Sequence, residues 1–446
     1  MDLSRSVVLV LLTGVACVLP GGTCRAQNQP STADSAAASA PAPLPKDVYA
    51  ESRNRLSLPK REDVSDGDKT IFDEMTRHSQ HPLPRLYDPP LARPMSEAGY
   101  YLKNETGLPS RLMEIAVLVT ARQLDCQFEW TQWENDGRNV SDPRHIEQST
   151  IDLIKYNRPV AGLGEKETAI IAFGREMQGD KKVSSATFAQ VLRLFGPRLT
   201  VDLVELMAGY SACAPEMRAF DQQLNEGQTP LLPPGRSHAY VKVRSSAVPP
   251  PAAPLPADVY PESRNRLPLP RREDMDDYGK AVFDELTHKP ELPSVRLYDP
   301  KVAKPLAEAH RYIRYKAGLP DRLVEIAVLV TARERDCQYE WTEWEMHGRD
   351  PSDPRHIEPG IIDIIKYDKP VVGLGEKETA IINLGRGMFG EERVSPATFA
   401  EVLRLFGRRG TVDLVELMTL HTATAAELTA FDEQLPEGQK PLMPVR

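Results

Sequence analysis

The residues best suited to chemistry lie in a ten-residue segment that this 446-residue chain carries twice. Asp125-Cys126-Gln127-Phe128-Glu129-Trp130-Thr131-Gln132-Trp133-Glu134 returns 211 residues later as Asp336-Cys337-Gln338-Tyr339-Glu340-Trp341-Thr342-Glu343-Trp344-Glu345, and the two segments hold all four tryptophans. Helical spacing puts Cys126, Glu129, Trp130 and Trp133 on one face, and Cys337, Glu340, Trp341 and Trp344 likewise. A thiol beside a carboxylate suits nucleophilic or redox chemistry at sulfur, with the carboxylate as proton acceptor and the indoles as pocket walls. Upstream, Glu114 and Glu325 each interrupt a strongly apolar run. A carboxyl there must find a partner or stay protonated, which makes it a candidate proton donor. The competing reading treats the cysteine as a small buried hydrophobe and the tryptophans as packing. An ionised Glu129 would also raise the thiol pKa.

The histidines are the other source of a base. His145 and His356 recur in Ser-Asp-Pro-Arg-His-Ile-Glu, after a proline turn from which either could reach a pocket; a loop histidine of no chemical role is the alternative. His347 and His421 stand opposite Asp136 and Tyr210, so they cannot serve both copies, and Cys213 stands opposite Thr424. No His/Cys/Asp set has ligand spacing, so neither a metal nor a cofactor is expected.

The elements that must position these groups are helices. Ser184 is a good N-cap, Phe188, Val191, Leu192 and Phe195 follow with helical period, and Gly196 stops the run. Ser395, Pro396 and Gly407 repeat that punctuation. Leu112–Arg122 is apolar nearly all round, as a buried helix is. Glu165–Met177 and Val201–Tyr210 read as further helices, giving about six per copy with no alternating strand pattern. The expected class is therefore all-α: two tandem bundles, 43–236 and 254–446, with Pro-rich N-terminal arms. A Pro-rich linker, 237–253, joins them. Residues 1–26 read as a signal peptide and 27–42 as a disordered linker, which places the chain outside the cytoplasm, periplasmic or secreted. No membrane span remains once the signal is removed. With 64 acidic against 55 basic residues, net −9, nothing favours nucleic acid as a partner. Cys126, Cys213 and Cys337 remain after the signal, an odd number that argues against a disulfide framework.

Gly107-Leu108-Pro109, Arg111-Leu112, Glu114-Ile115-Ala116, Thr120-Ala121-Arg122, Cys126 and Glu129-Trp130, with the ending Ala219-Phe220-Asp221 to Pro233, resemble the carboxymuconolactone decarboxylase and alkylhydroperoxidase D-like superfamily. The resemblance spans most of both copies. It implies an all-α fold, assembly into rings such as trimers or hexamers, and thiol peroxidase or lactone decarboxylase activity on a small-molecule substrate. For a duplicated chain it further implies a pseudo-dimer within one molecule. The peroxidase branch carries two cysteines three apart and a histidine four residues further on, with an upstream glutamate matched by Glu114 and Glu325. Here Glu129 and Glu340 stand at the second cysteine, and Trp133 and Trp344 at the histidine. A two-cysteine cycle cannot run within this motif, and a single-cysteine cycle needs an external reductant. Two functions are thus expected: a thiol-dependent peroxidase-type or lyase-type enzyme using Cys126 and Cys337, or a binding or scaffold protein that keeps the fold without the relay.

Overall fold

The computed structural model describes residues 43–77, 84–233, 249, 253–287, 294–390 and 393–444. The expected signal peptide and disordered linker, and nearly all of 237–253, lie outside them. Every α-helix of the first half has a counterpart in the second. The first half holds α1 (Lys69–Thr76), α2 (Pro89–Asn104), α3 (Ser110–Gln123), α4 (Gln127–Arg138), α5 (Gln148–Lys155), α6 (Glu165–Gly174) and α7 (Ser185–Ala219). The second holds α8 (Asp277–Leu286), α9 (Pro300–Tyr315), α10 (Asp321–Arg335), α11 (Gln338–Arg349), α12 (Pro359–Lys366), α13 (Glu376–Phe389) and α14 (Pro396–Phe431). No strand occurs among the described residues, so the chain is all-α. Each Pro-rich arm contributes two of these helices, α1 and α2 or α8 and α9.

Local chemistry explains the boundaries. The Ser184 and Ser395 hydroxyls accept from the backbone N–H of Thr187 and Thr398, capping α7 and α14. Gly196 (φ 72°, ψ 171°) and Gly407 (φ 68°, ψ −179°) leave helical geometry, so each stops one helix as expected and a second follows at once across a kink; α7 and α14 are each such a pair. Val201–Tyr210 lies in the second helix of α7. The helix begun at Glu165 turns into a π-helical stretch over Arg175–Asp180 after Gly174. A Cβ on Gly174 would lie 2.5 Å from Val119 Cγ1 and 2.6 Å from Met207 Cε, so glycine here lets α6 lie directly on α3. The apolar helix α3 is buried from Leu112 to Ala121 and packs against α4, α6 and α7; α10 does the same in the second half.

The halves meet along α7 against α14 and α2 against α9, and contacts there occur twice with the halves exchanged. Buried Arg85 donates to Glu216 at 2.9 Å and to Glu416 at 2.8 Å. Buried Arg296 donates to Glu205 at 2.8 Å and pairs with Glu427. Arg55 reaches the Val394 carbonyl and Arg266 the Val183 carbonyl, both at 2.8 Å. Phe188 packs edge-on to Phe431, and Phe220 to Phe399. Such exchange is what a two-fold axis produces, here inside one chain.

Candidate functional site

Each candidate cysteine is the N-cap of its helix rather than a member of it. Asp125 and Asp336 adopt φ of 48° and 55°, a turn short polar side chains tolerate. Cys126 and Cys337 then open α4 and α11 in extended conformation, with their backbone N–H donating to Ala121 and Ala332 carbonyls at 2.9 Å. A helix N-terminus favours a thiolate, yet burial wins here. Each thiol residue is 6% exposed. Burial, aided by Glu129, pushes the Cys126 thiol up to about 12. Burial and Glu340 push Cys337 higher still. Neither offers much thiolate at neutral pH.

Glu114 and Glu325 are fully buried, and none of their four carboxyl oxygens has a hydrogen-bond partner. Burial pushes both up to about 9, so both are neutral at pH 7. Each sits under a glycine of the following helix: a Cβ on Gly137 would lie 3.2 Å from Glu114 Oε1, and one on Gly348 3.3 Å from Glu325 Oε1.

The tryptophans divide. Trp130 and Trp341 are fully buried and donate their indole N–H to Glu134 and Glu345, which also hold Lys155 and Lys366, so they belong to the core and not to a pocket. Trp133 packs edge-on to Tyr210, with ring centres 5.3 Å apart. Trp344 lines a cleft of about 700 Å³ in the second half, formed by α9, α10, α11, α14 and the loop carrying Arg355. His145 and His356 do not line it. His145 Nδ1 lies 3.0 Å from the Gly137 carbonyl, and His356 occupies the equivalent loop with its own carbonyl accepting from Arg322. The two rings differ, since His356 Nδ1 is buried without a partner. Arg122 pairs with Asp125 and the Lys155 carbonyl, not with Glu129.

The cleft contains a pair that neither segment contains alone. His421 Nδ1, on α14, lies 2.7 Å from Glu340 Oε1, on α11. Both residues are buried, at 5% and 4% exposed, and His421 Nε2 and Glu340 Oε2 have no partner. His421 is wedged by rings: Trp344 stands edge-on at 5.2 Å and His310, from α9, at 5.9 Å. Burial drives the His310 imidazole well below its ordinary range, so it is neutral. The Arg314 guanidinium covers the Trp344 ring at 4.7 Å. A carboxylate that accepts from Nδ1–H leaves Nε2 as a bare lone pair, the arrangement of an oriented general base.

The first half has the carboxylate without the imidazole. Glu129 is raised by burial to about 7, with one oxygen unpartnered, and Tyr210, Gly99 and Cys213 take the places of His421, His310 and Thr424. His421 was visible in the sequence, and its restriction to one copy argued against it; nothing local announced its pairing with a residue 81 positions away. Among the described residues no group of His, Cys, Asp or Glu is arranged to hold a metal ion, and no helix is long and apolar enough to cross a membrane. Comparison of the chain with family models, curated proteins and solved structures finds no significant match.

Proposed function

We propose that the chain is an exported enzyme that moves protons on a small molecule, a lyase-type or isomerase-type activity, through Glu340 and His421 in the second half. The observation that carries this is the 2.7 Å contact between His421 Nδ1 and Glu340 inside a cleft, with Nε2 unpartnered. In the resemblance to carboxymuconolactone decarboxylases the motif position held by Trp344 belongs to a histidine, and His421 brings an imidazole to that neighbourhood from α14. Nε2 would take the substrate proton, Glu340 would steady the imidazolium that forms, and neutral His310 would hold the ring. Cys126 and Cys337 are structural in this reading, because burial withholds the thiolate that peroxide chemistry needs. The first half acts as scaffold.

The test is proton exchange from D₂O into a panel of small carbonyl and amino compounds, followed by NMR, beside peroxide consumption with an added dithiol. Exchange that is lost in His421→Phe and Glu340→Gln but kept in Cys126→Ser/Cys337→Ser is the expected result. Peroxide consumption that disappears with the two serines would return the function to the thiols.

A further inference from the structure

The cleft's own charge points to its ligand. Five carboxylates line it, from Asp321, Glu340, Glu343, Asp353 and Glu433, against the guanidiniums of Arg314 and Arg355. Arg355 is already held by both oxygens of Asp353, at 2.9 and 2.7 Å. His347 Nδ1 lies 3.2 Å from the same Asp353 carboxylate, and four carboxylates remain beside Arg314.

Internal duplication supplies the comparison. The residues that join the halves keep their identity in both copies: Arg85 and Arg296, Glu205 and Glu416, Glu216 and Glu427. Many of the cleft positions do not. Glu343, Glu433 and Asp321 stand where the first half has Gln132, Gln222 and Ser110, while only Asp136, opposite His347, runs the other way. Two of these are glutamate against glutamine, a change of charge at nearly constant shape. In the first half Gln132 and Gln228 exchange two amide hydrogen bonds, at 2.7 and 3.1 Å. At the matching positions, Glu343 Oε1 and Gln439 Oε1 are buried with no donor. Glu340 Oε2 adds another acceptor without a donor, and His421 Nε2 beside it has no partner, each on a residue at least nine-tenths buried in the cleft wall. Burial raises the Glu433 carboxyl to about 7, against the opposing pull of Asn265 and Arg264.

Buried acceptors of this kind demand a partner rich in donors, and negative charge demands a positive one. We propose that the second-half cleft binds a small organic cation carrying a primary ammonium group, its three N–H donors shared among Glu340, Glu343 and His421, and its apolar part against Tyr339 and Leu428. This deepens the proton-transfer reading and rests on the same cleft. The first half, with amides in place of the carboxylates, does not bind such a ligand.

Calorimetric titration of the full chain with benzylamine, benzyl alcohol and benzoate, and separately with calcium ions, tests it. Benzylammonium is expected to bind at least about tenfold more tightly than the alcohol or the acid, and the double change Glu343→Gln/Glu433→Gln, which installs the first half's residues, is expected to weaken it by about tenfold or more. Benzoate binding as well as the amine, calcium binding in place of the amine, or an unchanged affinity in the folded double variant overturns the proposal. Proton exchange and amine binding, both measured on the full wild-type chain, separate the two readings. Exchange without amine binding sinks the ligand assignment alone, and amine binding without exchange sinks the proton-transfer reading alone.

Discussion

Replacing Glu325 by glutamine should make the protein more stable, and only on the alkaline side. Glu325 is fully buried, neither carboxyl oxygen has a partner, and burial raises it from the ordinary 4.5 to about 9. The folded state therefore binds one proton more than the unfolded chain between those two values. The sign follows: this group's contribution is complete below about 4.5, declines as pH rises, and is lost by about 9. The slope is about 1.4 kcal/mol per pH unit, so at pH 8 wild type has forgone roughly 4–5 kcal/mol that a group unable to ionise would not lose. The glutamine amide is also without partners there, but so is the neutral acid, and the desolvation of the two nearly cancels. Urea unfolding at pH 5, 6.5 and 8 is the assay. The variant should match wild type near pH 5 and unfold at distinctly higher urea at pH 8, with the m-value unchanged. Glu114→Gln should behave alike. Wild-type and variant stability curves that run parallel across this range would show that Glu325 is ionised or partnered in the folded state.

Two further outcomes follow from packing and charge. Arg296→Met should cost about 3–5 kcal/mol, because Glu205 and Glu427 are left buried without their cation; adding Glu205→Gln and Glu427→Gln should recover much of it, and thermal melts of the three forms check both steps. Gly174→Ala should lower stability by about 1–3 kcal/mol through contact with Val119 and Met207, read as a drop in urea midpoint; an unchanged midpoint would mean that α6 and α3 separate at little cost.

What the sequence made legible was whatever repeats or obeys a local period. The 211-residue duplication, the buried helix through Leu112, the serine caps and the chain bends at Gly196 and Gly407 all depend on neighbours in sequence. Helical spacing placed Glu129, Trp130 and Trp133 on α4 and their twins on α11, but it also put the cysteines inside helices that they cap, and it could not tell Trp341, turned into the core, from Trp344 on the cleft. His421 illustrates the limit. Its partner is contributed by another helix, and the expectation that twin copies carry twin sites argued against it. The divergence of Glu343 from Gln132 was equally plain on the page, yet its meaning depends on which oxygens lack donors, and that appears only when the chain is folded.

The reciprocal seam bears on how the protein is made. Arg85 and Arg296 each need one carboxylate from their own half and one from the other, and the Arg55–Val394 contact closes a loop of 339 residues. Synthesis proceeds from the N-terminus at about 5–20 residues per second, so the first half waits roughly 10–40 s for its counterpart. During that interval α2 and α7 lack the helices that cover them, and Arg85 lacks Glu416. The apolar strip left open is one that another unfinished chain can fill as well as the correct second half can. Correct pairing therefore depends on the tether between the halves, which keeps the proper partner at higher local concentration than any neighbouring chain.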